Sequence, residues 1–453
     1  MFSVSALANI FKIADLRKKV MITLALMFVY RIGCFVPTPG VDTFALSQFF
    51  ARIAQAQASS LLGMMNLFTG GALTRLSIFA LGVMPYISAS IIMQLLTAVI
   101  PALEKIAKEG KAGYEKINQY TRYLTFFLCI MEGLFLSLWL ENPASFENIT
   151  IVPDPGWAFR ITTILTLGCG TIFVMWLGEQ IQERGIGNGV SLLIATGIIS
   201  RIPSAFGQLW ELWSPFDSTK RQIQSPVIIM LVLLWIAVIM GVILFSQAQR
   251  RLPVQYGRRV VGRKVYGGQS TYLPIKVDMA GVIAIIFAQS VMMFPATIAT
   301  FMPKLPAFMG WIQTMLQERN VWYSIAMVVL LFFFMYFYTA LVFNPLEISN
   351  NLKRYGGFIP GIRPGRPTAE YLDYVATRIV FVGAAYICFI AIFPTLIMHL
   401  FNVPSYSIAS FFGGTTILIM VGVVLDTMKQ IEGQLTVRHY EGFMKDGALK
   451  GRR

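Results

Sequence analysis

The chain has 453 residues, 56% of them hydrophobic and 13% charged, with a net charge of +15. That is too little charge for a soluble protein of this size. Long charge-free runs recur as a hydrocarbon slab demands, without the alternating ten-residue segments of a barrel, so the expected class is an all-α integral membrane protein.

In chain order, Val4, Leu7, Ile10, Phe11, Ile13 and Leu16 fall at helical spacing before Arg17-Lys18-Lys19. Residues 1–19 therefore read as an amphipathic helix lying along the cytoplasmic surface. The start lacks a charged segment, apolar core and small-residue cleavage site, so neither a signal nor a transit peptide is expected. Span one follows at Val20–Val36, with Arg31 near its outer end, and Pro37-Thr38-Pro39-Gly40 closes it.

The stretch Asn66–Gln94 organises the rest. A short amphipathic piece, broken at Gly70-Gly71, precedes a charge-free run from Leu76 to Ile100 that is long enough to cross a bilayer. A half-helix in front of a spanning helix suits a pore-blocking element, and irregular backbone at membrane depth requires a cavity or protein around it. A loop helix outside the membrane is the alternative.

Further spans are expected at Tyr120–Leu140, Ile161–Gly178, Gly187–Ser200, Pro226–Ser246, Met279–Phe301, Val321–Leu346, Ile379–Leu400 and Ser410–Leu425. Ten spans put both termini on one side, and 28 of the 37 Lys and Arg fall in segments on that side, so it is the cytoplasmic one. Insertion accounts for part of this asymmetry. The loop 249–276 goes further, with Arg250, Arg251, Arg258, Arg259, Arg263 and Lys264 interleaved with Tyr256, Tyr266 and Tyr272. Such a loop suits RNA phosphates or an acidic protein surface. In the loop 350–378, Gly361-Ile362-Arg363-Pro364-Gly365 presents Arg363 at a tip.

Cys34, Cys129, Cys169 and Cys388 lie far apart in apolar runs and read as small core residues, with neither disulfide nor metal site expected. His399 and His439 stand apart without relay partners. No phosphate loop occurs, so the chain does not consume nucleotide itself, and no Ser/Lys, Asp/Asp or His/Glu/His constellation suggests an intramembrane enzyme. Glu132 lies mid-span and Asp278 at the start of span seven, where an unpartnered charge is costly. In a secondary transporter of small solutes both would be coupling carboxylates, and Asp278 also fits an interfacial helix end.

Seven motifs then carry a resemblance over essentially the whole chain. They are Gly70-Gly71-Ala72-Leu73, Ala80-Leu81-Gly82-Val83-Met84-Pro85-Tyr86-Ile87-Ser88-Ala89-Ser90, Gln119-Tyr120-Thr121-Arg122, Glu183-Arg184-Gly185-Ile186-Gly187-Asn188-Gly189, Phe294-Pro295-Ala296-Thr297-Ile298, Gly361–Gly365 and Phe412-Gly413-Gly414-Thr415. In this order they resemble the SecY family, the channel subunits of the protein-conducting translocon.

The resemblance implies ten helices in two five-helix halves, residues 20–207 and 208–425, arranged as an inverted repeat around an hourglass pore, with a cytoplasmic tail at 426–453. It implies a pore ring of Val83, Ile87, Val190, Ile194, Ile286 and Ile419. The first two pairs are spaced i, i+4, so each pair shares one helix face, and a narrow aliphatic ring dewets without imposing chemistry on a passing peptide. Singly, each such residue also fits a lipid-facing or core position.

The plug resembles residues 62–75, including Asn66, Leu67, Phe68, Thr69, Gly70, Gly71, Ala72 and Leu73. A lateral gate into lipid between spans two and three and spans seven and eight would carry Ser88, Gln94, Glu132 and Asp278. Amides are usual at the last two positions in bacterial members, so the two carboxylates are expected to weaken closure by mutual repulsion unless one is protonated. The implied partners are SecE-like and SecG-like small subunits, a SecA-type ATPase, the ribosome, signal sequences and nascent polypeptides, and membrane lipid. The basic loops would be the docking surface, the motor would lie in the partner, and no cofactor is implied. A bacterial plasma membrane is the expected location, with an organelle-encoded thylakoid copy as the alternative.

Overall fold

A computed structural model of the chain describes residues 13–55, 65–66, 68–146, 149–213, 225–256, 259–261, 264–266, 270–301, 320–401, 409 and 411–446. Six of its helices are long and apolar enough to cross a membrane, or seven if the bent pair Met84–Val99 and Pro101–Lys108 counts as one.

The N-terminal elements are α1 (Ala14–Gly33), α2 (Thr43–Gln55), a 3-10 turn at Leu73–Arg75, α3 (Met84–Val99), α4 (Pro101–Lys108), α5 (Lys111–Leu140), α6 (Trp157–Arg184), α7 (Gly189–Ile199) and α8 (Ile202–Trp213). Then come α9 (Ser225–Gln247), β1 (Gln249–Tyr256), β2 (Arg259–Val261), β3 (Lys264–Tyr266), β4 (Ser270–Lys276), α10 (Gly281–Phe301), α11 (Val321–Val342), α12 (Pro345–Arg354), β5 (Gly357–Phe358), α13 (Arg366–Phe401) and α14 (Thr415–Asp446).

Span two departs from expectation. Its apolar run begins at Leu76, but helix begins only at Met84, with Pro85 in the first turn. Leu76 (φ 40) and Gly82 (φ 58) sit in the left-handed region, which a right-handed helix cannot accommodate. The intervening backbone finds other partners: Thr38 N–H donates to Leu76 O at 2.8 Å and Ile78 N–H to Val36 O at 2.9 Å. The segment after α1 thus satisfies irregular backbone that lipid could not.

Several helices overrun the apolar runs that announced them. α13 starts at Arg366 and not Ile379, α5 at Lys111 and not Tyr120, and α14 continues past Leu425 to Asp446. Hydropathy marks the part of a helix in hydrocarbon and is blind to its continuation into water. Polar pairs tie neighbouring helices: the part-buried Arg160 and Glu141 meet at 2.6 Å, and the exposed Arg122 meets Glu179 with two contacts of 2.8 Å.

The two basic loops form one structure. β1 pairs antiparallel with β4, from Gln249↔Lys276 to Gln255↔Ser270, and its other edge takes β5 through Gln255↔Phe358 and Tyr256↔Gly357. Leu252 and Val254 point inward while Arg251, Pro253 and Gln255 alternate outward. The inward pair joins Ile275, Ile359, Leu372, Val375 and Ile379 in a core that seats the sheet on the first turns of α13.

Cys34, Cys129 and Cys388 are buried as expected of core residues, but Cys169 is exposed. It lies on the outer side of α6, where an apolar environment is supplied by lipid and not by protein.

Candidate functional site

Val83, Ile87, Ile194, Ile286 and Ile419 are each at most 5% exposed and belong to one continuous buried cluster, with Val190 packed against it. Their helices touch: α10 packs on α3, α5, α11 and α14, and α14 also packs on α7. None of the five points outward, so a common interior face is available to them.

Beside this core lie the residues of the irregular stretch. Asn66 O accepts from Gly71 N–H at 2.9 Å, its Oδ1 accepts from Thr74 N–H at 3.3 Å, and Thr74 Oγ1 donates to Gly71 O at 2.7 Å. The fold of this segment is therefore largely self-supporting. Phe68, Thr69, Ala72 and Leu73 are buried. Leu67 lies outside the described residues.

Two helices hold the segment from outside. Arg31 Nη1 donates to Gly70 O at 2.9 Å, and the Arg31 and Arg75 guanidinium groups stand 5.2 and 4.5 Å from the centre of the Phe35 ring. The second support is α7, whose Gly197 faces Gly70.

A small cavity separates the segment from the helices around it. Met65 and Thr69 line one side, Ser88 of α3 and Glu132 of α5 another, and Ser290 and Thr297 of α10 a third. It offers ≈ 20 Å³ to the centre of a water molecule, and about 10–15 Å³ suffices for one. Glu132 is 7% exposed, and the Ser290 hydroxyl has no partner among the described residues. Thr297 Oγ1 reaches Met65 Sδ at 3.5 Å and donates to Met293 O at 2.8 Å.

The four polar residues expected at a gate are thus not all in one place. Ser88 and Glu132 share the cavity, whereas Gln94 turns away and donates from Nε2 to Ser90 Oγ at 3.2 Å. Asp278 Oδ1 accepts from Gly281 N–H at 2.7 Å, as a helix cap does, and the charges that act on it are those of Asp426, Lys429 and Lys276. Helix rise separates Gly281 from Ser290 by about 14 Å. Glu132 and Asp278, between which repulsion was expected, thus occupy different surroundings, the one in the cavity and the other at the start of α10. Met65, within the expected plug 62–75, completes the surroundings together with Ser290, Thr297 and Arg31, which were not singled out as gate or plug residues by sequence. Ser290 and Thr297 are spaced i, i+7, a polar stripe on an apolar helix that could have marked them.

Of the basic residues, Arg250, Arg251 and Arg363 are exposed. Arg259 and Lys264 lie on β2 and β3, while Arg258 and Arg263 lie outside the described residues. Arg363 sits on a braced tip: Thr368 Oγ1 donates to Arg363 O at 2.8 Å and Ser349 Oγ to Gly365 O at 2.6 Å. No group of three or more metal-ligating side chains occurs among the described residues.

The SecY family model matches residues 77–428. The protein translocase subunit SecY of Streptomyces scabiei is 46% identical over 447 residues, covering 97% of this chain and all of the relative. That of Escherichia coli K12 is 43% identical over 442 residues, covering 97% and 96%. A solved protein-conducting channel superposes with a TM-score of 0.65 at 18% identity, over 96% of this chain and 95% of that one. The canine Sec61 channel from a ribosome-channel complex does so with a TM-score of 0.63 at 17% identity, over 96% and 95%.

Proposed function

Because the chain belongs to the SecY family and is a protein-translocation channel subunit, a multi-pass membrane protein and not an enzyme, we propose that polypeptide passes a waist built from Val83, Ile87, Val190, Ile194, Ile286 and Ile419. The observation that carries this reading is the burial of five of these side chains in one cluster, with the sixth packed against it. An aliphatic collar closes on itself by dewetting and grips no particular sequence, which suits a conduit for many substrates. A solute transporter would instead need polar coupling groups gathered at mid-membrane. Among the described residues no three His, Cys, Asp or Glu side chains come together.

Residues 62–75 act as the plug on the outer side of the waist. Separation of α10 and α11 from α3 and α5 opens the wall to lipid, with Ser88 and Glu132 at the parting surface, Gln94 further along α3 and Asp278 at the start of α10. Ten spans in two halves, 20–207 and 208–425, with both termini in the cytoplasm of a bacterial inner membrane, complete the arrangement. The charge asymmetry supports that orientation.

The sheet β4-β1-β5 and the tip at Arg363 form the docking surface for the ribosome and a SecA-type ATPase, with SecE-like and SecG-like subunits in the membrane. Two solved relatives are described in ribosome complexes, the canine Sec61 channel and a yeast Ssh1 complex on the 80S ribosome. Another is described as a SecY whose plug domain stabilises the closed state and maintains a membrane seal.

Disulfide cross-linking of a stalled secretory chain to single cysteines at 83, 87, 190, 194, 286 and 419 tests the waist. All six are expected to capture the chain at one substrate depth. Capture at scattered depths, or equal capture at Val329, which is exposed on α11, would refute it.

A further inference from the structure

A second cavity lies where α7 gives way to α8 and where α14 begins. Its polar lining is Arg201, Ser204, Gln208 and Thr416, between walls of Ile198 and Phe411. It offers ≈ 30 Å³ to water centres. Among the described residues no acidic side chain lines it.

Three observations bear on what it holds. The half-buried Arg201 guanidinium makes no hydrogen bond or ion pair among the described residues, and the charge that acts on it is a like one, from Arg31. A cation placed so, without an anion, is unfavourable. Thr416 is 6% exposed, lines the cavity, and makes no side-chain hydrogen bond among the described residues. Ser204, whose hydroxyl donates to Arg201 O at 2.8 Å, and Thr416 also lie in the first turns of α8 and α14, at the positive ends of the helix dipoles. Cation, hydroxyl and two helix starts all favour negative charge at one point.

We infer that this cavity is a binding site for a carboxylate. The planar guanidinium of Arg201 matches two carboxylate oxygens, and the Thr416 hydroxyl can donate to one of them. Such a group arrives either on a small free acid or on an Asp or Glu of a polypeptide in transit. Thr416 is one helical turn from Ile419 and Arg201 two turns from Ile194, so the cavity neighbours the proposed waist.

The test uses isotopically labelled formate and the full chain reconstituted in nanodiscs with its small partner subunits. Saturable broadening of the formate NMR signal is expected, weakened about tenfold or more by Arg201→Gln and severalfold by Thr416→Val. Thr416→Val keeps the side-chain shape, so it reports on the hydroxyl even if the arginine variant fails to assemble. Broadening that does not saturate, or that both variants leave unchanged, overturns the site. Because formate binding needs no transport, this result stands or falls separately from the waist. The source is then read by stalling a secretory chain with an Asp beside the cavity. Displacement of formate by the Asp chain and not by its Asn twin assigns the site to substrate, and retention with both assigns it to a free acid.

Discussion

Gly70 and Gly197 meet backbone to backbone: a Cβ on Gly70 would lie 2.8 Å from Gly197 Cα and 2.9 Å from Arg31 Nη1. Gly70 also has φ +65, which costs other residues about 1–2 kcal/mol. The segment proposed as the plug is seated where only a bare backbone fits. Gly70→Ala should therefore unseat it, with about a tenfold rise in the unseated population for each 1.4 kcal/mol. Ion conductance of the resting channel in planar bilayers measures this, and a conductance equal to wild type would contradict it.

Arg31 holds the same residue through its hydrogen bond to Gly70 O. A charged hydrogen bond contributes about 1.5–3 kcal/mol. Arg31→Gln should accelerate labelling of a cysteine placed at Thr69 by a membrane-impermeant thiol reagent, with Arg31→Lys intermediate. Equal labelling rates in all three proteins would show that the contact does not restrain the plug.

Glu132 and Asp278 should separate in their effects, because one faces the plug cavity and the other caps α10. Glu132→Gln is expected to change resting leak and the export of precursors with defective signal sequences. Asp278→Asn keeps a capping oxygen and should be close to neutral, while Asp278→Ala should lower stability by about 1 kcal/mol. The measurements are export of a signal-defective reporter and thermal unfolding in detergent. Identical phenotypes for Glu132→Gln and Asp278→Asn would remove the distinction.

Arg363 is exposed, yet its loop is braced through Thr368 and Ser349, whose bonds go to backbone carbonyls and not to the guanidinium. Arg363→Glu should thus insert and fold normally while motor-driven translocation is lost. Protease protection and in vitro transport of a precursor test the two halves of this statement, and normal transport would count against a docking role.

Much of this was legible in the residue order because the signals are local. Apolar runs reveal spans, lysine and arginine bias sets the expected orientation, and the i, i+4 pairs Val83/Ile87 and Val190/Ile194 point to a shared face. The motifs from Gly70-Gly71 to Phe412–Thr415 carried the family. Contacts between distant segments left no such trace. The late start of α3 depends on bonds to Val36 and Thr38, the joining of both basic loops on β1 and β5, and the meeting of Glu132 with Ser290 and Thr297 on packing across more than a hundred residues. Periodicity tells which face of a helix is buried. Which neighbour covers that face is settled by shape and by the need to satisfy every backbone group away from water, and both are properties of the assembled chain.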